Sequence, residues 1–192
     1  MRRMASSLVI YLASQSPRRR QLLKAHGYGC RVIPSTYIEK HESKSCPRDL
    51  VLKHALGKLQ SAVIPRGARF VVAADTVVAF QGKVYGKPKD MNHAVRMLFR
   101  LTGNTHEVFT AWAMSDSKTK KRCLRSVRSR VTLRAMNKKQ IHEYFKRMNP
   151  LDKAGSYAVQ SKPSIVEHIH GSYSNVMGFP MEDFEKVIQK WI

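Results

Sequence analysis

Acidic side chains are scarce in this chain. Only 13 Asp and Glu stand against 35 Lys and Arg, which leaves a formal net charge of +22. Such a surface attracts polyanions of every kind, so charge alone does not choose among them. Nucleic-acid readers usually add a recognisable reading element or an interleaved aromatic platform. Neither is found here: aromatics make up 8% of the residues, and the cations are spread along the chain. Cysteine is sparse too. Cys30, Cys46 and Cys123 show no paired spacing and no CxxC motif, which argues for a reducing compartment and against structural zinc. No apolar run approaches the length that spans a bilayer, and no repeat or low-complexity tract is found. Met1-Arg2-Arg3, followed by apolar and small residues, loosely imitates a signal peptide. Its apolar run is short and leads straight into a helix start, so it reads as a first strand in a cytoplasmic protein. What is present, 192 residues of which 43% are hydrophobic, suits one globular domain or two small lobes sharing a core.

Residues 12–20 read Leu-Ala-Ser-Gln-Ser-Pro-Arg-Arg-Arg. The run Leu8 to Leu12 is strand-like, Ser16 is a good N-cap, Pro17 suits the first helical position, and Leu22, Leu23 and Ala25 supply an inward face before Gly27. Arg18, Arg19 and Arg20 therefore fall on the first turn of a helix, whose N-terminus already carries about half a positive charge. That crowding is unfavourable unless an anion shares the space, and free N–H groups beside guanidinium forks favour a phosphate-rich ligand. A solvated basic turn is the plain alternative.

Further along, Cys30 to Ile33 reads as a short strand and Pro34 to Cys46 as a polar loop carrying Glu39. Pro47 opens a helix running to about Val63, with Lys58 near its end. Phe70 to Phe80 is an apolar run broken only by Asp75 and Thr76, the pattern of a central buried strand. A turn at Gln81-Gly82-Lys83, a return through Val84 and Tyr85, and the basic loop Gly86 to Lys89 precede a helix from Met91 to Leu101. Thr105 to Met114 and Ser126 to Arg134 read as strands around a charged tip, the second with a wet face of Arg128, Arg130 and Arg134. A helix from Asn137 to about Met148 follows, then strands near Tyr157 to Gln160 and Ile165 to Ile169, a turn at Gly171 and a closing helix from Pro180 to Trp191. His106, His168 and His170 lack metal-ligand spacing.

Asp75 is the strongest chemical candidate outside the opening motif. A carboxylate within an apolar strand is costly unless hydrogen bonds, a cation or a metal compensate it. It suits coordination of a divalent ion or activation of water, with Lys87 one hairpin away to neutralise a phosphate. Six blocks then agree in order and spacing: Leu12 to Arg19, Asp75-Thr76, Gly86 to Lys89, Thr105 to Val108, Asp152 to Gln160, and Ser174 to Gly178. Together they resemble the Maf family of nucleoside triphosphate pyrophosphatases over essentially the whole chain.

The resemblance implies an α/β fold with a mixed, elongated sheet flanked by helices, a single domain over residues 1–192 with a nucleotide cleft between two lobes. It implies hydrolysis between the α- and β-phosphates with Mg²⁺ or Mn²⁺. By motif position, Ser14, Arg18 and Arg19 hold phosphates, Lys58 and Lys87 add charge, and Glu39 and Asp75 manage metal and water, with Asp75 as proton acceptor. Arg18, Thr76 and Gln160 together resemble the subgroup acting on dTTP and UTP, including modified pyrimidines. The family often has Asp-Glu where this chain has Ile38-Glu39, and Gly where it has Ala73. The implied partner is a nucleoside triphosphate, with no membrane, no nucleic acid expected despite the basic surface, and homodimerisation open. The rival from another class is a non-catalytic nucleotide- or nucleic-acid-binding regulator of cell division; a third reading is removal of purine analogues such as inosine triphosphate.

Overall fold

The apolar run Phe70–Phe80 becomes the central strand, β3, in which only Thr76 and Phe80 are not fully buried. A strand covered on both faces needs a continuous apolar sequence, and this one has it. A computed structural model describes residues 8–39 and 45–192; the signal-like start and the middle of the loop after Glu39 lie outside the described residues. Around β3 the order is β1 (Val9–Leu12), α1 (Pro17–Ala25), β2 (Gly29–Val32) and α2 (Pro47–Gln60) before it. After it come β4 (Lys83–Tyr85), α3 (Met91–Leu101), β5 (Thr105–Asp116), β6 (Arg122–Leu133), α4 (Lys138–Phe145), β7 (Val166–His170), α5 (Tyr173–Val176) and α6 (Met181–Ile188). The sheet is mixed, in the order β2-β1-β3-β5-β6-β7, with β4 added to β3.

The two edges of β3 differ. One pairs antiparallel with β5 over nearly its whole length, from Phe70 against Asp116 to Ala79 against Glu107. The other pairs parallel with β1 only at Phe70 to Val72 and antiparallel with β4 only at Val78 to Phe80. Between these contacts, residues 73–77 have no strand partner on that edge among the described residues. The sheet is open there, and Asp75 lies at the middle of the opening.

Three apolar clusters hold the layers together. Ile10, Trp112, Phe179 and Phe184 pack beneath α1 and α6. Leu50, Val51, Ala55 and Ala73 pack beneath α2. Leu98, Leu101, Val131 and Ile141 pack where α3 and α4 meet the other end of the sheet. The alternation expected of the strand after the charged tip is present: Arg128, Arg130 and Arg134 are exposed while Val131 and Leu133 are buried.

Several expectations need correction. Residues 157–160 form no strand. A 3₁₀ turn at Ala154–Ser156 leads into an irregular segment there, whose polar groups are satisfied by side chains instead of a ladder. The Ala158 N–H donates to Tyr144 Oη at 3.0 Å, Ser161 Oγ donates to the Ala158 carbonyl at 2.8 Å, and the Tyr157 hydroxyl is 2.8 Å from His106 Nε2. The strand expected from Ser126 begins at Arg122, because its polar first half pairs with Ala111 to Ser115 of β5. The helices expected to reach Val63, Met148 and Trp191 stop at Gln60, Phe145 and Ile188. A short helix, α5, occupies Tyr173–Val176, where Ser172 caps it by accepting from the Asn175 N–H.

His106 is buried at 1% exposure, and burial pulls its pKa down to about 4 from 6.5. Below about pH 6.5 the unfolded chain takes up a proton here that the folded chain refuses until about 4, so stability falls across that window. The expected loss at about pH 5, relative to neutral pH, is about 2 kcal/mol from this group. Urea unfolding of the chain and of His106→Gln at about pH 7.5 and about pH 5 checks it. The substitution should remove about that much of the pH dependence, and equal slopes would contradict the assignment.

Candidate functional site

Helix α2 lies over the open edge of β3. Leu50, His54 and Lys58 recur every four residues and so form one stripe of the helix. All three are buried. Leu50 enters the apolar cluster, whereas His54 and Lys58 meet Asp75. Lys58 Nζ donates to Asp75 Oδ1 at 2.6 Å and to Glu39 Oε1 at 2.5 Å. His54 Nδ1 lies 3.0 Å from Asp75 Oδ2. Burial pushes the Asp75 carboxyl upward, but the His54 hydrogen bond, the Lys58 ammonium and nearby Arg19 outweigh it and hold the group below the usual carboxylate range.

Glu39 reaches this cluster because the loop after β2 is pinned to the end of α2. The Val63 N–H donates to the Pro34 carbonyl at 2.9 Å, and the Ser35 and Ser61 hydroxyls are 2.8 Å apart. Tyr37 lies directly on the helix at Gly57, where an added Cβ would collide with its ring, and it also packs against the His54 ring at a centroid separation of 5.7 Å.

On the other side of the opening, the three arginines of α1 have separate fates. Arg19 is buried and fully engaged: Nε donates to the Gly178 carbonyl at 2.8 Å, Nη1 to Ser14 Oγ at 2.9 Å and Nη2 to Thr76 Oγ1 at 3.0 Å. Burial lowers its pKa, with Asp75 and Glu39 pulling the other way. Arg18 spans to the loop after α4, donating to Asp152 Oδ2 at 2.7 Å and to the Asp152 carbonyl at 3.0 Å. Arg20 is exposed. The crowding at the helix start is thus relieved within the protein by a carboxylate, hydroxyls and carbonyls. Ser16 stands at the N-cap without a side-chain cap bond; its own N–H donates to Ser14 Oγ at 3.3 Å.

One cavity of about 480 Å³ is lined by all nine residues singled out from the sequence: Ser14, Arg18, Arg19, Glu39, Lys58, Asp75, Thr76, Lys87 and Gln160. They do not form a single contact network. Lys87 and Gln160 are exposed. Thr76 is occupied by Arg19 and by the Thr110 hydroxyl at 3.0 Å. Two further lining residues were not singled out. His54 was legible only through its spacing of four from Lys58, and Asp152 stood in a quoted motif without a role. Donor atoms of Glu39, His54 and Asp75 lie within 4.8 Å of one another and can hold a divalent ion. The donor set of two carboxylates and an imidazole fits such an ion, and His54 Nε2 is buried with no partner.

Together the mixed sheet, its open edge and a cavity that sets cations around paired carboxylates define an α/β protein with a site suited to a phosphate-rich ligand. The chain belongs to the Maf family: the family model described as Maf-like protein matches residues 9–191. It is 42% identical to a dTTP/UTP pyrophosphatase of Gloeobacter violaceus, with 90% of each chain covered. It is 39% identical to one of Citrifermentans bemidjiense, again with 90% of each covered. It is also 39% identical to one of Salmonella typhimurium, over 90% of this chain and 87% of the other. No helix among the described residues is long and apolar enough to cross a membrane, and the three cysteines are free.

Arg19 and Arg18 make a direct contrast. Arg19→Met strands three acceptors around a buried site and should cost about 3 kcal/mol in urea unfolding. Arg18→Met breaks a half-exposed pair and should cost no more than about 1 kcal/mol. Equal costs would contradict the anchoring role of Arg19.

Proposed function

We propose that the chain hydrolyses dTTP, UTP and related modified pyrimidine triphosphates between the α- and β-phosphates. The products are the nucleoside monophosphate and pyrophosphate, and the role is to clear such nucleotides from the pool. The observation that carries the reading is the buried Asp75 carboxylate, set in the gap of β3 and met by Lys58 and His54, in a family whose relatives bear the name dTTP/UTP pyrophosphatase. In this reading the cleft divides two lobes, with the phosphates over the gap and the base toward Gln160.

Ser14 Oγ, Arg18, Arg19, Lys58 and Lys87 surround the triphosphate. Lys58 is central because it touches both carboxylates. An incoming phosphate competes for its ammonium, and the flexible stem of a lysine lets it follow. That frees a lone pair of Asp75 to accept the proton of an attacking water. Water oxygen bonds to the α-phosphorus, the bond to the bridging oxygen breaks, and pyrophosphate leaves with its charge held by the surrounding cations. Glu39 and Asp75, with His54 beside them, would hold Mg²⁺ or Mn²⁺, whose contribution is to neutralise the phosphate oxygens and fix their orientation. Arg18 exchanges Asp152 for substrate. Thr76 acts through Arg19, which it helps to orient. The Gln160 amide offers a donor and an acceptor to a pyrimidine edge.

The test is the purified chain with a panel of pyrimidine and purine triphosphates and Mg²⁺ or Mn²⁺. Pyrophosphate and monophosphate should form fastest from dTTP and UTP, and Asp75→Asn should lower kcat by about 10²- to 10⁴-fold. Orthophosphate with a nucleoside diphosphate would contradict the cleavage position. Triphosphate binding without turnover, or salt-dependent DNA binding that survives loss of Asp75, would favour the non-catalytic regulator instead.

A further inference from the structure

His54 is more than the fold requires at its position. Its neighbours on α2, Leu50, Val51 and Ala55, belong to the apolar cluster beneath the helix, and an apolar side chain would continue that face. Asp75 is met by Lys58 at 2.6 Å and by one ring nitrogen of His54 at 3.0 Å. The imidazole spends one nitrogen on Asp75 and leaves the other buried and unpartnered, in a residue 3% exposed. A buried polar atom without a partner is costly, so the imidazole is kept here at a cost that an apolar side chain would not carry. The same side chain brings a ring nitrogen within 4.8 Å of carboxylate oxygens from both Glu39 and Asp75. Two donors bound about 2.1 Å from an octahedral ion stand about 3 Å apart at adjacent positions, which matches the 3.0 Å between His54 Nδ1 and Asp75 Oδ2.

Ligand chemistry gives this placement a consequence. Mg²⁺ takes oxygen ligands and keeps most of its waters, whereas imidazole suits first-row transition ions. We infer that His54 is a direct metal ligand and makes this site select transition-metal dications, Co²⁺ and Mn²⁺ among them, over Mg²⁺. The ion takes the position between Glu39 and Asp75 that the Lys58 ammonium fills, and Lys58 turns to the phosphates. Tyr37 packs against the His54 ring, with the two centroids 5.7 Å apart. The inference rests on the proposed metal-assisted reading of the cleft, and its test does not depend on turnover.

The experiment is pulsed electron paramagnetic resonance of the full chain loaded with Mn²⁺ alone, with calorimetric titrations of Co²⁺ and Mg²⁺. The expected result is ¹⁴N modulation from a directly bound imidazole, lost in His54→Gln, with a Co²⁺ affinity lowered at least about tenfold in that variant and a Mg²⁺ affinity changed less than about threefold. Oxygen-only coordination of Mn²⁺ in the unsubstituted chain would overturn the assignment whether or not the variant folds, and so would an equal loss for both metals or no saturable Mn²⁺ binding. Pyrophosphate release by the unsubstituted chain with Mg²⁺, measured alongside, separates the two readings. Turnover with oxygen-only Mn²⁺ coordination removes the His54 assignment alone. Nitrogen coordination without turnover removes the hydrolytic reading and keeps the metal ligand.

Discussion

A carboxylate buried in the middle of an apolar strand sets the terms for this structure. Asp75 is 5% exposed, and an isolated charge at that depth would cost several kcal/mol even after relaxation. The protein offsets this with an ammonium and an imidazole delivered from one helix face, four residues apart, and that requirement fixes the rotation of α2 over the sheet. It also fixes the loop after β2, because the same Lys58 ammonium carries Glu39. The opening between β1 and β4 along the edge of β3 places Asp75 and Thr76 on the wall of the cavity.

The second constraint is positive charge held close to that carboxylate. Arg19 lies buried between Ser14, Thr76 and the Gly178 carbonyl, so it joins α1, β3 and the turn before α6 while adding a cation to the cleft. Gly178 has φ of +107°, and a Cβ there would stand 3.4 Å from Thr76 Oγ1 and 3.7 Å from Arg19 Nε. The turn that presents this carbonyl therefore suits glycine. Arg18 differs in kind. It is held by Asp152, whose carboxyl stays below its usual range because bonds from Lys153 and Arg18 outweigh the upward push of burial. Much of the +22 charge has no part in either arrangement. Arg20, Arg130 and Arg134 are exposed, while Arg125 and Arg128 pair with Asp183 and Glu107 on the surface.

Legibility in the sequence followed how local each signal was. β3 and α3 have the bounds their patterns indicate, because an unbroken apolar run and a helical period with its cap at Asp90 are decided by the residues themselves. Residues 157–160 misled because Tyr157 and Ala158 are apolar enough for a strand, whereas their partners, His106 and Tyr144, come from other elements. The cleft shows the same division. Asp75 stood out as a charge in an apolar run, the motif blocks supplied six more residues, and the family resemblance added Glu39 and Lys58; all nine line one cavity. His54 was hidden because its spacing of four from Lys58 gains meaning only once the strand beneath the helix is known, and the Arg18 pair with Asp152 bridges residues far apart in sequence.

The central claim is that Lys58 and Asp75 form one unit, assembled at a cost to folding and used by the substrate. A double-mutant cycle on kcat/KM for UTP hydrolysis, with Lys58→Met, Asp75→Asn and the pair, tests it most directly. The account predicts that each single variant loses at least about 10²-fold and that the double variant loses little more than the worse single. Independent, multiplying losses would contradict it.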